Sequence, residues 1–107
     1  MKEEFKFYVA GVQHHDLKDC IDEIEEGYEL ALIPEPSNKY DPNAIRIHFY
    51  SIKLDREVMC GYVPGKISAQ VSAFLAITNA TCEVFKLMPD AKPWQQLQAL
   101  ITEVEDG

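Results

Sequence analysis

The sequence predicts an α+β domain: a small, barrel-like antiparallel sheet with two helices packed on it. Three observations carry this expectation. Strand and helix patterns follow one another as β–α–β–β–β–α–β, with one ambiguous element at the C-terminal end. The connections between neighbouring strand patterns are short, which suits antiparallel hairpins. The chain has 107 residues, 47% of them hydrophobic. That is one domain's length, with enough apolar surface for one core. No repeat, linker or low-complexity stretch divides the chain, so residues 1–107 are expected to form a single domain.

Phe5 to Val12 (FKFYVAGV) is aromatic and β-branched and contains a glycine near its end, which reads as a strand. In Asp16 to Gly27, the residues Leu17, Cys20, Ile21 and Ile24 fall at helical spacing. Asp16 is placed to receive free amides and Gly27 to end the element in a left-handed conformation. The spacing thus predicts a short amphipathic helix with its acidic side to water. Tyr28 to Ile33 alternates as a strand. Pro34 to Asn43 is a dense run of turn formers whose three prolines exclude a helix or an inner strand.

Ala44 to Tyr50 alternates again, with Ile45, Ile47 and Phe49 on one face and Arg46 and His48 on the other. Ser51 to Glu57 is a polar hairpin connection. Val58 to Val63 is a strand whose glycine points to a bulge or a close backbone approach. Pro64 to Ile77 is a helix: Ile67, Val71, Phe74 and Leu75 share a stripe, and proline suits its first turn. The periodicity assigns Ile45, Ile47, Val63, Ile67, Val71, Phe74 and Leu75 to one core. Ala80 to Met88 alternates as a strand, and residues 89–96 are ambiguous. For Leu97 to Val104, Trp94, Leu97, Ile101 and Val104 would line a helical face, while Leu97, Ala99 and Ile101 alternate as a strand would. Periodicity alone does not decide so short a segment.

The net charge of −8 argues against a general electrostatic grip on nucleic acid or an anionic membrane. The acids concentrate in residues 1–33, including Asp16, Asp19, Asp22, Glu23, Glu25, Glu26 and Glu29. Residues 36–66 are mildly basic, with Lys39, Arg46, Lys53, Arg56 and Lys66 against Asp41, Asp55 and Glu57. Three cysteines without a CxxC spacing fit reduced thiols in a cytoplasmic protein better than a disulfide scaffold. No apolar run is long enough to span a membrane, and Met1 to Phe5 lacks the apolar core of a signal peptide.

The segment Glu35-Pro36-Ser37-Asn38-Lys39-Tyr40-Asp41-Pro42-Asn43 packs polar side chains and one aromatic into a stiff loop between two strands. Such a loop is either a well-made turn or a pre-ordered binding loop, since proline lowers the entropy lost on ordering. His14-His15 with Asp16, Cys20 or Cys60 is a weak metal reading. Adjacent strand residues face opposite ways, and no second ligand pair stands at a zinc spacing. Cys60 lacks an evident base or orienting acid and reads as a buried cysteine. His48 and Trp94 read as packing residues. The sequence implies no catalytic residue, metal or cofactor, and no Walker motif is present, so an ATPase would have to be a partner.

The string Glu35-Pro36-x-Asn38-x-Tyr40-Asp41-Pro42-Asn43-Ala44-Ile45-Arg46-Ile47 resembles the signature of the HIRAN family. Two flanking blocks agree: Val9-Ala10-Gly11-Val12 followed by a pair of rings, and Gly61-Tyr62-Val63-Pro64 followed by a helix. The resemblance runs from about Phe5 to Leu75. It implies a six-stranded OB-like antiparallel β-barrel flanked by two α-helices, which makes Leu97 to Val104 the last strand.

The resemblance also implies a non-catalytic module that holds single-stranded DNA or a free 3′-OH end, in DNA repair or at a replication fork. A helicase or nuclease is then a further partner. Two rings would pack on the terminal bases, and these positions fall on His14 and Tyr40. The acid that meets the terminal hydroxyl falls on Asp41, with Asn38 beside it; Tyr62 and Lys66 belong to the downstream block. A ring pair can sandwich any base, and a carboxylate accepts from a hydroxyl but repels an internal phosphate, so the set would select ends. Two positions depart from the pattern: basic residues usual there are Gln13 and Gly65 in this chain, which removes phosphate partners. The alternative is a protein–protein interaction domain that keeps the fold without binding DNA, its acidic segment at 16–26 suiting a basic partner.

Overall fold

In a computed structural model, residues 3–104 are described. Met1 and Lys2 of the opening stretch lie outside them, as do residues 105–107. The strands are β1 (Glu4–Tyr8), β2 (Glu29–Pro34), β3 (Ile45–Ser51), β4 (Arg56–Tyr62), β5 (Ala80–Leu87) and β6 (Leu97–Glu103). All pair antiparallel, in the order β1-β6-β5-β2-β3-β4. One α-helix, α1 (Ser68–Ile77), stands between β4 and β5.

The expected OB-like barrel is corrected by this topology: the sheet is open. Its edge strands β1 and β4 do not form a closing ladder. They meet only at an isolated bridge, Ala10 opposite Tyr62, made of two backbone bonds of 2.8 and 2.9 Å. The reason is local. Gly11 adopts φ +72° and turns the chain out of the sheet into a 3-10 turn, so no further β1 residues remain to pair with β4. The strand pattern read over Phe5 to Val12 therefore ends early.

The second expected helix is also absent among the described residues. Leu17–Asp19 and Ile21–Glu23 are separate 3-10 turns, each closed by bonds between residues three apart. Cys20, at φ −134°, interrupts any continuous helix. Leu17, Cys20 and Ile24 are nonetheless buried, because spacing of three or four residues puts them on one side in either helix type. Asp, Cys and Ile are weak helix formers, so packing rather than propensity decides this segment.

Leu97 to Glu103 is a strand, and pairing on both sides decides what periodicity leaves open. Leu97, Ala99 and Ile101 are fully buried, and β6 pairs on one side with β1 and on the other with β5. Of the seven residues assigned to the core, Ile45, Ile47, Val63, Val71 and Phe74 are buried, and Ile67 and Leu75 pack against them half-buried. Cys20, Cys60 and Cys82 are buried free thiols, and burial pushes the Cys60 thiol up to about 12. His48 is buried beside Phe49, with Nδ1 3.1 Å from Glu57 Oε2. Trp94 corrects the packing expectation: it is 52% exposed, in a 3-10 turn over Pro93–Gln95.

A bulge at Cys60, between the pairs Ile47–Gly61 and His48–Met59, bends β4 just before Gly61. Gly61 sits at φ +158°, where a Cβ would strike the Ala10 carbonyl oxygen and approach Val9 Cγ1 at 2.8 Å. Only glycine lets β4 pass this close to the end of β1, and Tyr62 is thereby placed beside the 35–44 loop.

Candidate nucleic-acid interface

The 35–44 loop joins β2 to β3, and its shape is built from its own side chains. Asn38 Oδ1 accepts the backbone N–H groups of Tyr40 (2.9 Å) and Asp41 (3.0 Å). Asp41 Oδ1 accepts that of Asn43 at 2.9 Å. These are Asx turns, in which a short polar side chain substitutes for a backbone partner. Backbone bonds from Glu35 to Ala44 and from Ala44 to Asp41 close the base of the loop.

Glu35 is the hub that ties this loop to the sheet. Its Oε1 accepts the Asn38 side-chain amide at 2.8 Å and the Tyr62 hydroxyl at 2.9 Å. Its Oε2 lies 3.5 Å from Arg46 Nε. The bonds from Asn38 and Tyr62 hold the Glu35 carboxyl below the usual range, with Arg46 and His15 adding to the effect. The same carboxylate, after burial, raises the Tyr62 phenol.

Asn38, Tyr40, Asp41 and Tyr62 line one shallow groove of about 200 Å³, with Ala10, Ala44, Val63 and Gly65. Tyr40 is 95% exposed. Asp41 reaches the other way with its second oxygen and accepts the Ser68 hydroxyl at the start of α1. His14 and Lys66 are exposed and are not among the lining residues of this groove.

His14 ends the 3-10 turn over Val12–His14, so the two histidines do not follow strand alternation. It is His15 whose ring meets Tyr62 edge-on, centroids 5.7 Å apart. Partial burial lowers the His15 imidazole below its ordinary value, against the opposing pull of Asp16. His15, Glu35, Arg46 and Ser68 were thus not singled out for the site, although they support it. Glu35 and Arg46 stand within the same sequence string as Tyr40, but the bonds that make Glu35 a hub are not legible there. Ser68 carries no such signal, because its role depends on a bond across the fold. Among the described residues no three His, Cys, Asp or Glu side chains cluster as metal ligands would. No helix there is long and apolar enough to cross a membrane.

No curated protein sequence matches this chain. Among solved structures, the HIRAN domain of human HLTF is similar in fold, with a TM-score of 0.64 at 13% identity. The match covers 94% of this chain and 74% of that one. The family model for the HIRAN domain matches residues 2–103, nearly the whole chain, and HIRAN domains are small non-catalytic modules. With the loop string, the Gly61-Tyr62 block and the fold all in agreement, this chain belongs to the HIRAN domain family.

Proposed function

We propose that this domain binds single-stranded nucleic acid, with a free 3′-OH end seated against Tyr40 and Asp41. One observation carries the reading. The Tyr40 ring is 95% exposed on a loop whose other polar groups are largely satisfied from within. Folding gives no reason to hold an aromatic ring in water there, whereas an unstacked base offers it a partner. Asp41 has an oxygen on Asn43 and an oxygen on Ser68, and each retains a second lone pair. A terminal hydroxyl can donate to it, and an internal phosphate is repelled.

In this reading His14 supplies the second ring, and Lys39 and Lys66, both exposed, meet phosphates. Asn38 shapes the loop rather than touching the ligand, since its oxygen and its amide are already engaged. Tyr62 forms a wall of the groove with its hydroxyl committed to Glu35. A helicase or nuclease acting at repair intermediates is the partner such an end-holder would serve. The test is fluorescence anisotropy with single-stranded oligonucleotides carrying free or phosphorylated 3′ ends. Preference for the free end supports the reading, and no binding at low salt overturns it.

A further inference from the structure

At the opposite end of the β2–β3 hairpin from Tyr40 lies a second surface, on which the nucleic-acid reading makes no demand. Its pocket of about 520 Å³ is lined by Glu23, Gly27, Tyr28, Glu29, Phe49, Tyr50 and Ile52. The Tyr28 and Phe49 rings are parallel within 1°, centroids 6.4 Å apart. Tyr28 is 43%, Tyr50 53% and Ile52 84% exposed. Ile52 and Leu54 stand in the β3–β4 turn, where solvated polar residues would serve folding better. A contiguous apolar patch with a polar rim marks an interaction site.

The rim selects the occupant. Glu23 and Glu29 line the pocket, and Glu25 and Glu26 are exposed on the adjoining segment. The nearby cation Lys53 is taken up by Asp22, at 3.3 Å. Glu29 has no ion-pair partner among the described residues. Glu23 accepts the Ser51 hydroxyl and the Lys53 N–H, so Glu29, with the exposed Glu25 and Glu26, supplies the free negative charge. Aromatic faces beside such carboxylates attract guanidinium and ammonium groups, while the apolar floor takes an aliphatic side chain. We propose that this pocket docks a protein segment carrying an apolar side chain next to Arg or Lys. Phosphate-bearing ligands are repelled from it, so the domain has two ends of opposite preference. Six residues of β2 separate them, roughly 20 Å at strand rise.

The probes are two labelled peptides, GSGLRKLGSG and its acidic counterpart GSGLEELGSG, titrated into the ¹⁵N-labelled full chain. The basic peptide is expected to shift the amides of Tyr28, Glu29, Tyr50 and Ile52 and to leave those of Tyr40 and Asp41 unmoved. The acidic peptide is expected to shift none of them. Ile52→Lys and Glu29→Lys, both at exposed positions, are expected to weaken the basic peptide by about tenfold or more. Neither change is expected to alter single-stranded oligonucleotide binding in the same samples, so failure at one end is read separately from failure at the other. Absence of shifts at millimolar basic peptide overturns the proposal, as does equal response to both peptides. Self-association of the free chain that Ile52→Lys abolishes also overturns it, by making a second copy the occupant.

Discussion

Ser68, the first residue of α1, donates its hydroxyl to the Asp41 carboxylate at 2.6 Å, from 27 positions away in sequence. The bond fixes the loop against the helix and holds the carboxylate at the groove. Ser68 is 2% exposed, and its other acceptor is the Gly65 carbonyl at 3.2 Å. Asp41→Ala therefore mixes two effects: loss of a ligand group and loss of the shorter bond of a buried hydroxyl, which is left with Gly65, worth about 0.5–1.5 kcal/mol. Asp41→Asn separates them: its one oxygen can keep the Asn43 N–H, while its amide group donates to the Ser68 hydroxyl oxygen and that hydroxyl turns to the Gly65 carbonyl. Its urea midpoint is expected to move by less than about 1 kcal/mol of stability. In anisotropy it is expected to lose the preference for a free 3′-OH while overall affinity holds or rises. A preference that survives the change removes Asp41 from the proposed role.

Gly61 offers a purely structural test. Alanine there must displace the Ala10 carbonyl or Val9 and must also adopt φ +158°. Overpacking alone costs about 1–3 kcal/mol, and the backbone conformation adds to it. Gly61→Ala is expected to lower stability by at least about 2 kcal/mol. It is also expected to speed hydrogen exchange at the Ala10 and Tyr62 amides, whose paired bonds form the latch between the sheet edges. Unchanged exchange there would show that the latch does not depend on the glycine.

Local chemistry was legible in the sequence, and long-range closure was not. Five of the six strands follow from alternation and turn residues, and the core stripe of α1 from its periodicity. Leu97 to Val104 fits both periods in the sequence, and pairing with β1 and β5 together decides it for a strand over Leu97–Glu103. The Leu17–Cys20–Ile24 spacing identified the buried face but not the helix type, which depends on how Cys20 resets the backbone. Barrel closure failed for a related reason. Whether two edges meet depends on where Gly11 sends the chain, and no strand pattern encodes that.

The candidate site divides the same way. Asn38, Asp41 and the prolines announce a built loop because Asx turns are made within a few residues. The Tyr40 exposure and the Glu35 hub needed coordinates. Of the two adjacent histidines, only geometry puts the His15 ring against Tyr62, since their 3-10 turn obeys no strand alternation.

That packing has a consequence for pH. Burial lowers the His15 imidazole below its ordinary value of 6.5, so the unfolded chain binds the proton more readily. Stability therefore falls as pH drops from about 6.5 towards the folded value. Glu35 acts lower in the range: its folded value is held below 4.5, so its stabilisation is present above 4.5 and is lost as pH falls through the folded value. In urea titrations across pH, His15→Gln is expected to flatten the upper part of the acid loss and Glu35→Gln the lower part. A His15→Gln variant with the wild-type profile would contradict the assigned burial effect.

Tyr40 gives the most direct test of the nucleic-acid reading. With 95% exposure, Tyr40→Ala is expected to leave stability within about 0.5 kcal/mol. It is expected to weaken single-strand binding by about 1–3 kcal/mol, through loss of one stacking face. Arg46 is drawn towards Glu35, and the net charge is −8, so few cations are available to displace counterions. The slope of log affinity against log salt should then be shallow, about −1 to −2. Anisotropy at several salt concentrations, with the wild type and Tyr40→Ala side by side, measures both quantities. A steep slope that Tyr40→Ala leaves unchanged would mean the strand binds elsewhere as a polyanion, near Arg46, Lys53 and Arg56, and the loop would then be a turn and nothing more.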